Sequence, residues 1–289
     1  MKVLLHVNYL EGDGDKLPQL FKLAADNGCD GVELRWKYRF QDRTQAEYQN
    51  LVAGLKSQYP GLEIVFGGAI DFCRGKAECV EAELHAYFEF LAWAKNACGS
   101  RLMNFFTGSL VREGAPYHEF DRNGSGMAEP GDYERSAAGL RRVGDRAAEL
   151  GIRIALETHN CYLHDLPPAC AKLMELTDHP AVGLNFDQGN ILLNTKGTSV
   201  DDYFKLLGPQ TYYAHLKNAH KINGANGGGY AITRLEEGCI DQYRVMELLK
   251  THLQGDMIAI EYPCPGDGRI AARRDMNYLR ELKEMIGID

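Results

Sequence analysis

The residues best placed to do chemistry stand at the ends of short apolar runs in the second half of the chain. The run IRIALE closes on Glu157, AVGLNFD on Asp187, YYAHLK carries His215 and Lys217, and MIAIE closes on Glu261. A glutamate alone at such a place is commonly a salt-bridge or capping residue, and a lone histidine can be a satisfied core group. Their combination is harder to explain that way, because neighbouring buried carboxylates lose hydration and repel one another. A divalent cation at their centre removes both difficulties. Glu157, Asp187, His215 and Glu261 are therefore expected to hold one metal ion. Carboxylates with a single imidazole form a mostly oxygen donor set, which suits Mn²⁺ first, with Mg²⁺, Co²⁺ or Zn²⁺ as alternatives.

Bringing those four positions together requires parallel strands whose ends share one face. Strands are predicted at 2–8, 31–35, 62–66, 101–106, 152–157, 181–187, 212–217 and 257–261. Helices are predicted between them, at 17–27, 44–58, 76–97, 133–150, 166–176, 200–207 and 242–253, and after the last strand at 270–286. Gly28 and Gly151 sit where helix C-termini need them, and Asp241 is a good N-cap. The strand runs are continuously apolar, as parallel strands buried on both faces must be. Eight strand–helix units over 1–289 predict an α/β fold, a single (β/α)₈ TIM barrel forming one domain, rather than an open sheet of about five to seven strands. In such barrels the strand C-termini and the loops after them build the active site.

Composition narrows the functions. The chain has 289 residues, 45% hydrophobic and 25% charged, with a formal net charge of −8. That acidity argues against a partner with a phosphate backbone or an anionic membrane. No apolar run approaches the ~18–20 residues of a membrane helix, and the N-terminus lacks a signal-peptide core. The eight cysteines form no C-x-x-C pair and read as reduced thiols, so a cytoplasmic setting is expected. There is no phosphate-binding glycine motif and no nucleophile elbow.

The segments ALETHN, VGLNFDQGN, AHLKN and AIEYP, in that order, together with Gly31–Val32–Glu33 and Gly238–Cys239–Ile240–Asp241, resemble the xylose-isomerase-like TIM-barrel superfamily. That superfamily includes sugar isomerases, ketose 3-epimerases, inosose dehydratases and apurinic endonucleases. In its epimerase branch one metal is held by Glu, Asp, His and Glu, at positions matching Glu157, Asp187, His215 and Glu261. The resemblance implies that Glu157 and Glu261 are also the acid–base pair. Departures are informative. The family's D-x-x-H after strand six ends here in Asn190, its H-L-K-D after strand seven reads H-L-K-N with Asn218, and strands three and four carry no histidine. The trinuclear zinc site of the endonucleases therefore cannot be assembled.

What the resemblance implies is a divalent-metal-dependent sugar isomerase or epimerase, acting on a keto-sugar or aldose through a metal-stabilised enediolate. The alternative is a lyase or dehydratase on a keto-sugar, cyclitol or oxidised glycoside, which begins with the same deprotonation. The expected partner is a small carbohydrate, with no nucleic acid and no membrane, and homo-oligomers are common in the family. His159, Lys217, His6, Asn190 and Trp36 are expected to bind substrate. His159 and Lys217 share strand parity with the ligands, Lys217 alternatively forming a salt bridge to a ligand carboxylate, and Trp36 and Phe66 could form an apolar wall or belong to the core. Glu33 is expected in an ion pair with Arg35 or another strand. The Gly-rich stretches 107–131 and 222–238 read as covers over the pocket, and Arg269, Arg273 and Arg274 as a solvated face.

Overall fold

Side-chain alternation along short strands decides where every barrel residue goes. The computed structural model describes residues 1–10, 16–37, 43–114, 122–193, 198–222, 229–262 and 266–288. Eight parallel strands close into a barrel: β1 (Lys2–His6), β2 (Gly31–Arg35), β3 (Glu63–Ala69), β4 (Leu102–Phe106), β5 (Arg153–Glu157), β6 (Val182–Asp187), β7 (Thr211–Leu216) and β10 (Met257–Ile260). β10 pairs with both β1 and β7, so the ring is complete and the predicted TIM barrel is the observed fold.

Helices α1 (Leu17–Asp26), α2 (Gln45–Gln58), α3 (Ala77–Cys98), α4 (Pro130–Glu149), α5 (Pro167–Thr177), α7 (Val200–Leu207), α8 (Gln242–His252) and α9 (Gly268–Ile286) follow the barrel strands. Their ends are fixed locally. Thr44 and Glu47 form a reciprocal capping box on α2, Asp241 accepts from the Arg244 amide at the start of α8, and Gly99 closes α3 with φ of 70°. The structure adds a six-residue helix, α6 (Gln188–Leu193), directly after β6. It also makes an antiparallel hairpin of β8 (Asn218–Ile222) and β9 (Gly229–Thr233) from ends of a stretch that reads as loop.

Inside the barrel, Leu4, Val65, Leu102, Ala155, Tyr213, Met257 and Ala259 form a separate apolar layer. The alternate residues, such as Val3, Leu34, Ile64, Phe66, Phe105, Leu156, Phe186 and Ile260, point out into the main core beneath the helices. Phe66 belongs to this outward set: its ring meets Phe90 and Trp93 of α3 at 5.0 and 5.7 Å. The expectation that it walls the pocket is thus corrected by strand parity. None of the seven described cysteines forms a disulfide, and Cys264 lies outside the described residues. Among the described residues, no helix is long and apolar enough to cross a membrane.

Asn218, at the foot of the hairpin, uses its whole amide. Its Oδ1 accepts from the Ala219 and Ile240 amides at 2.9 and 3.0 Å, while Nδ2 donates to the carbonyls of Leu235 and Ile240 at 2.9 and 3.2 Å. A carboxylate would face those two carbonyls with no hydrogen to offer. Asn218→Asp is therefore expected to destabilise the fold by about 2 kcal/mol or more, measured by urea unfolding. A change below about 0.5 kcal/mol, within the range of an ordinary surface substitution, would remove the amide from this role.

Candidate metal centre

Three strand ends bring ligand atoms together. Glu157 closes β5, Asp187 closes β6, and His215 lies on β7 directly opposite Asp187 in register. One ligand atom from each lies within 4.8 Å of the others, and all three residues are buried. His215 Nε2 is 2.8 Å from Glu33 Oε2, and Glu33 also accepts from the Tyr213 hydroxyl at 2.7 Å and Asn104 Nδ2 at 3.2 Å. In the neutral ring, a proton held on Nε2 by Glu33 leaves the Nδ1 lone pair facing inward. That atom is buried without a hydrogen bond, 3.3 Å from Glu157 Oε2 and 3.8 Å from Asp187 Oδ2. An imidazole lone pair aimed between two carboxylates fits a divalent cation.

Glu261, the fourth expected ligand, stands apart from these three. It follows β10, where Oε1 accepts from Asn8 Nδ2 and Oε2 pairs with the Lys217 ammonium. The same ammonium lies 2.8 Å from Asp187 Oδ2, so Lys217 bridges the triad to Glu261. Its path crosses the start of α6 at Gly189, where a Cβ would fall 2.1 Å from Lys217 Cγ. Asn190 completes the shell: its Nδ2 reaches Glu157 Oε1 at 3.1 Å and Asp187 Oδ2 at 2.9 Å, and its amide bonds Asp187 Oδ1 at 3.0 Å.

These contacts set the charges. Burial opposes ionisation of Lys217, but Asp187 and Glu261 outweigh it and hold the ammonium well above its usual range. Burial likewise opposes the Glu261 carboxylate, yet Lys217 holds it well below the ordinary range. At Glu157 burial wins and raises the carboxyl. Burial disfavours a charged His215, but Glu33 and Glu157 raise it to about 10. Glu33 is lowered to about 2 against its own burial by His215 and His6, while burial pushes His6 down to about 4.

Above the triad opens a cavity of about 420 Å³, lined by Glu157, Glu261, His6, His159, Trp36 and Phe106 among others. The expected substrate residues thus separate. His6, His159 and Trp36 reach the cavity, whereas Asn190 and Lys217 are not among its lining residues and are engaged with carboxylates. Glu33 pairs with another strand, as one reading had it, and Arg35 instead donates to Asn8 Oδ1 at 2.7 Å. Arg269, Arg273 and Arg274 are exposed, and Arg269 pairs with Asp267 at 3.0 Å. The described part of 107–131 is pinned by bonds from Leu110 to Cys161 and from Ser125 to Asp165; 115–121 and 223–228 lie outside the described residues.

Sequence reasoning missed Asn104, Tyr213 and His164. Asn104 Nδ2 is 2.6 Å from Glu157 Oε2 as well as touching Glu33, and strand parity would have found both it and Tyr213. His164 had no such signal. Its ring accepts the Thr107 amide on Nε2 at 3.4 Å and donates from Nδ1 to the Glu157 carbonyl, and burial pushes it down to about 3.

Residues 21–282 match the family described as xylose isomerase-like TIM barrel. The chain belongs to this family. Over 63 residues it is 38% identical to an inosose dehydratase of Lacticaseibacillus casei, a stretch covering 22% of this chain and 21% of that protein. A probable 3-DHS dehydratase from Bacillus anthracis superposes with a TM-score of 0.72 at 18% identity, covering 97% of this chain and 99% of the other. An L-ribulose 3-epimerase superposes at 0.73 and 16% identity, covering 99% and 95%. The fold is shared by a dehydratase and an epimerase alike, so it does not choose the reaction.

In this xylose isomerase-like barrel, Asp187→Ala is expected to abolish tight retention of Mn²⁺, measured as metal per chain after gel filtration. Unchanged metal content would take Asp187 out of the ligand set. Metal binding must also displace the proton that His215 carries below about pH 10. Affinity for Mn²⁺ should therefore weaken about tenfold per unit as pH falls from 8 to 6, with about one proton released per ion. A pH-independent affinity in that window would show that His215 does not bind the ion as the neutral ring.

Proposed function

We propose that this barrel is a divalent-metal-dependent isomerase or epimerase that moves a proton at the carbon beside the carbonyl of a small keto-sugar or aldose. One observation carries the reading: Glu157 and Glu261 line the same cavity from β5 and β10, with β6 and β7 between those strands in the ring. Two carboxylates so placed reach a bound substrate from different sides, the requirement for removing a proton and returning one elsewhere.

Glu157, Asp187 and His215 would hold the ion, with Glu261 able to complete the set, and the oxygen-rich donors favour Mn²⁺. When bound, the ion acts as a Lewis acid on substrate oxygens and makes the neighbouring C–H more acidic. The rest falls to the chain. Lys217 keeps Glu261 ionised, the form that can accept a proton, while lowering its basicity until the ammonium is drawn toward Asp187 or substrate. Asn8 fixes its other oxygen. Glu157 is held by Asn104 and Asn190 on its two oxygens, which orients it as the partner acid. Trp36 and Phe106 offer apolar surface to the C–H face of a sugar, and His6 and His159 offer polar contacts to its hydroxyls. Proton return at the same carbon from the other side yields an epimer, and return at the neighbouring carbon an isomer.

A dehydratase would share the first step. The feature favouring it is His159, whose Nδ1–H is taken by the Asn160 carbonyl at 2.8 Å, so that in the protonated ring Nε2–H would give its proton to a departing hydroxyl, which leaves as water.

The test is incubation in D₂O with Mn²⁺ and a panel of ketoses, aldoses and keto-glycosides. Deuterium at the carbon beside the carbonyl, in a product of otherwise unchanged composition, is expected. Release of water or an aglycone would transfer the assignment to the lyase reading. Glu261→Gln should lower deuterium incorporation by about 10²–10⁴-fold while the barrel stays folded, and wild-type exchange in that variant would refute the assigned base.

A further inference from the structure

A further buried carboxylate lies outside the cavity, on α9. Asp275 of α9 is fully buried, and its Oδ2 accepts from the hydroxyls of both Tyr9 and Tyr262. The two phenols also meet each other, with 3.0 Å between their oxygens and 5.2 Å between ring centroids. Oδ1 accepts from the Leu235 amide at 3.0 Å. One carboxylate thus ties together the segments that follow β1, β9 and β10.

The position of this knot in the sequence gives it meaning. Tyr262 directly follows Glu261, and Tyr9 directly follows Asn8, whose amide donates to Glu261 Oε1. At this level no β1–β10 strand pairing is present among the described residues. The described β1–β10 pairing ends at Leu5↔Ile260, and residues 7–10 have already turned into a 3₁₀ helix. The Glu261 amide is bonded toward β7, to the Leu216 carbonyl at 2.9 Å. Where the described β1–β10 pairing stops, the phenol–carboxylate knot links the two segments.

We propose that Asp275 is a positioning residue for Glu261, setting it through Tyr262 and setting its partner Asn8 through Tyr9. This rests on the reading of Glu261 as the base. The Glu157, Asp187 and His215 cluster is built on β5 to β7 and makes no contact with the knot among the described residues, so loss of the knot moves the base and leaves the ion's main holders in place.

The experiment compares Asp275→Ala with a triple variant, Tyr9→Phe/Tyr262→Phe/Asp275→Leu. The triple variant replaces both sides of the buried contact by apolar groups and so recovers packing and stability without directional bonds. Readouts are kcat and KM for the ketose that exchanges deuterium with the wild type, Mn²⁺ per chain, and hydrogen exchange resolved by peptide. In Asp275→Ala, kcat should fall about 30- to 100-fold with KM within about twofold and metal content unchanged. Amide exchange should accelerate in peptides spanning 2–10 and 257–262, and at Leu235, whose amide Asp275 holds. The triple variant should regain thermal stability and not kcat. If kcat returns with stability, or if the loss follows metal content, Asp275 is structural only and the proposal is overturned. If the wild type exchanges no ketose, the functional reading fails by itself. Exchange rates then decide: acceleration confined to those two peptides and the one holding Leu235 upholds the knot's placement of Glu261, and acceleration spread evenly over the barrel overturns it.

Discussion

Negative charge buried at the barrel's mouth is the constraint on which the remaining features depend. Glu33, Glu157, Asp187 and Glu261 are all buried at one end of the closed sheet. Two like charges about 4 Å apart cost about 4 kcal/mol at the effective dielectric of a protein site, so the arrangement needs cations inside it. The chain supplies two, and each has a definite place. Lys217 lies between Asp187 and Glu261, and His215 between Glu33 and the pair Glu157 and Asp187. What remains undercompensated is Glu157, whose carboxyl burial drives toward protonation. The proposed ion therefore enters where the chain's own positive charge runs short.

Alternation along the strands makes that crowding affordable to the fold. The inward residues of the lower barrel are apolar, from Leu4 and Val65 to Ala155 and Met257, and they form a packed layer without charge. Two residues further along the same strands, the inward positions become His6, Gly67, Asn104, Glu157 and Ala259, with Glu261 another step beyond. Stability is concentrated in the lower layer and the surrounding helices, and the polar groups occupy the end where loops can vary. Tyr213 joins the two levels, with its ring in the apolar layer and its hydroxyl on Glu33.

The same alternation explains how much was legible in the sequence. The strand ends were readable because Glu157, Asp187, His215 and Glu261 each interrupt an apolar run, and the order of strands followed from the helices between them. Carrying parity back along each run would also have placed Asn104 and Tyr213 inside and Phe66 outside, between inward Val65 and Gly67. Other features had no such signal. Helix α6 is too short for a helical period to show, and the strand GYAIT of the hairpin is masked by the glycines before it. His164 and Asp275 act through backbone carbonyls, amides and phenols from distant segments, contacts that exist only once the loops are folded.

The two asparagines that depart from the family pattern now have a shared physical meaning. A histidine in place of Asn190 could not offer two amide hydrogens to Glu157 and Asp187 together, as this Nδ2 does. An aspartate in place of Asn218 would add charge beside Leu235 and Ile240 carbonyls that the present amide satisfies. Both changes exchange a potential ligand for a neutral donor. Each donor hydrogen orients an existing carboxylate or a loop, and neither adds a lone pair that could recruit a further cation. With no histidine on β3 or β4 to compensate, the cluster able to hold an ion among the described residues is Glu157, Asp187 and His215, on β5, β6 and β7, with Glu261 beside it. That capacity matches one ion, and the groups that might have held others instead stiffen the carboxylates that remain.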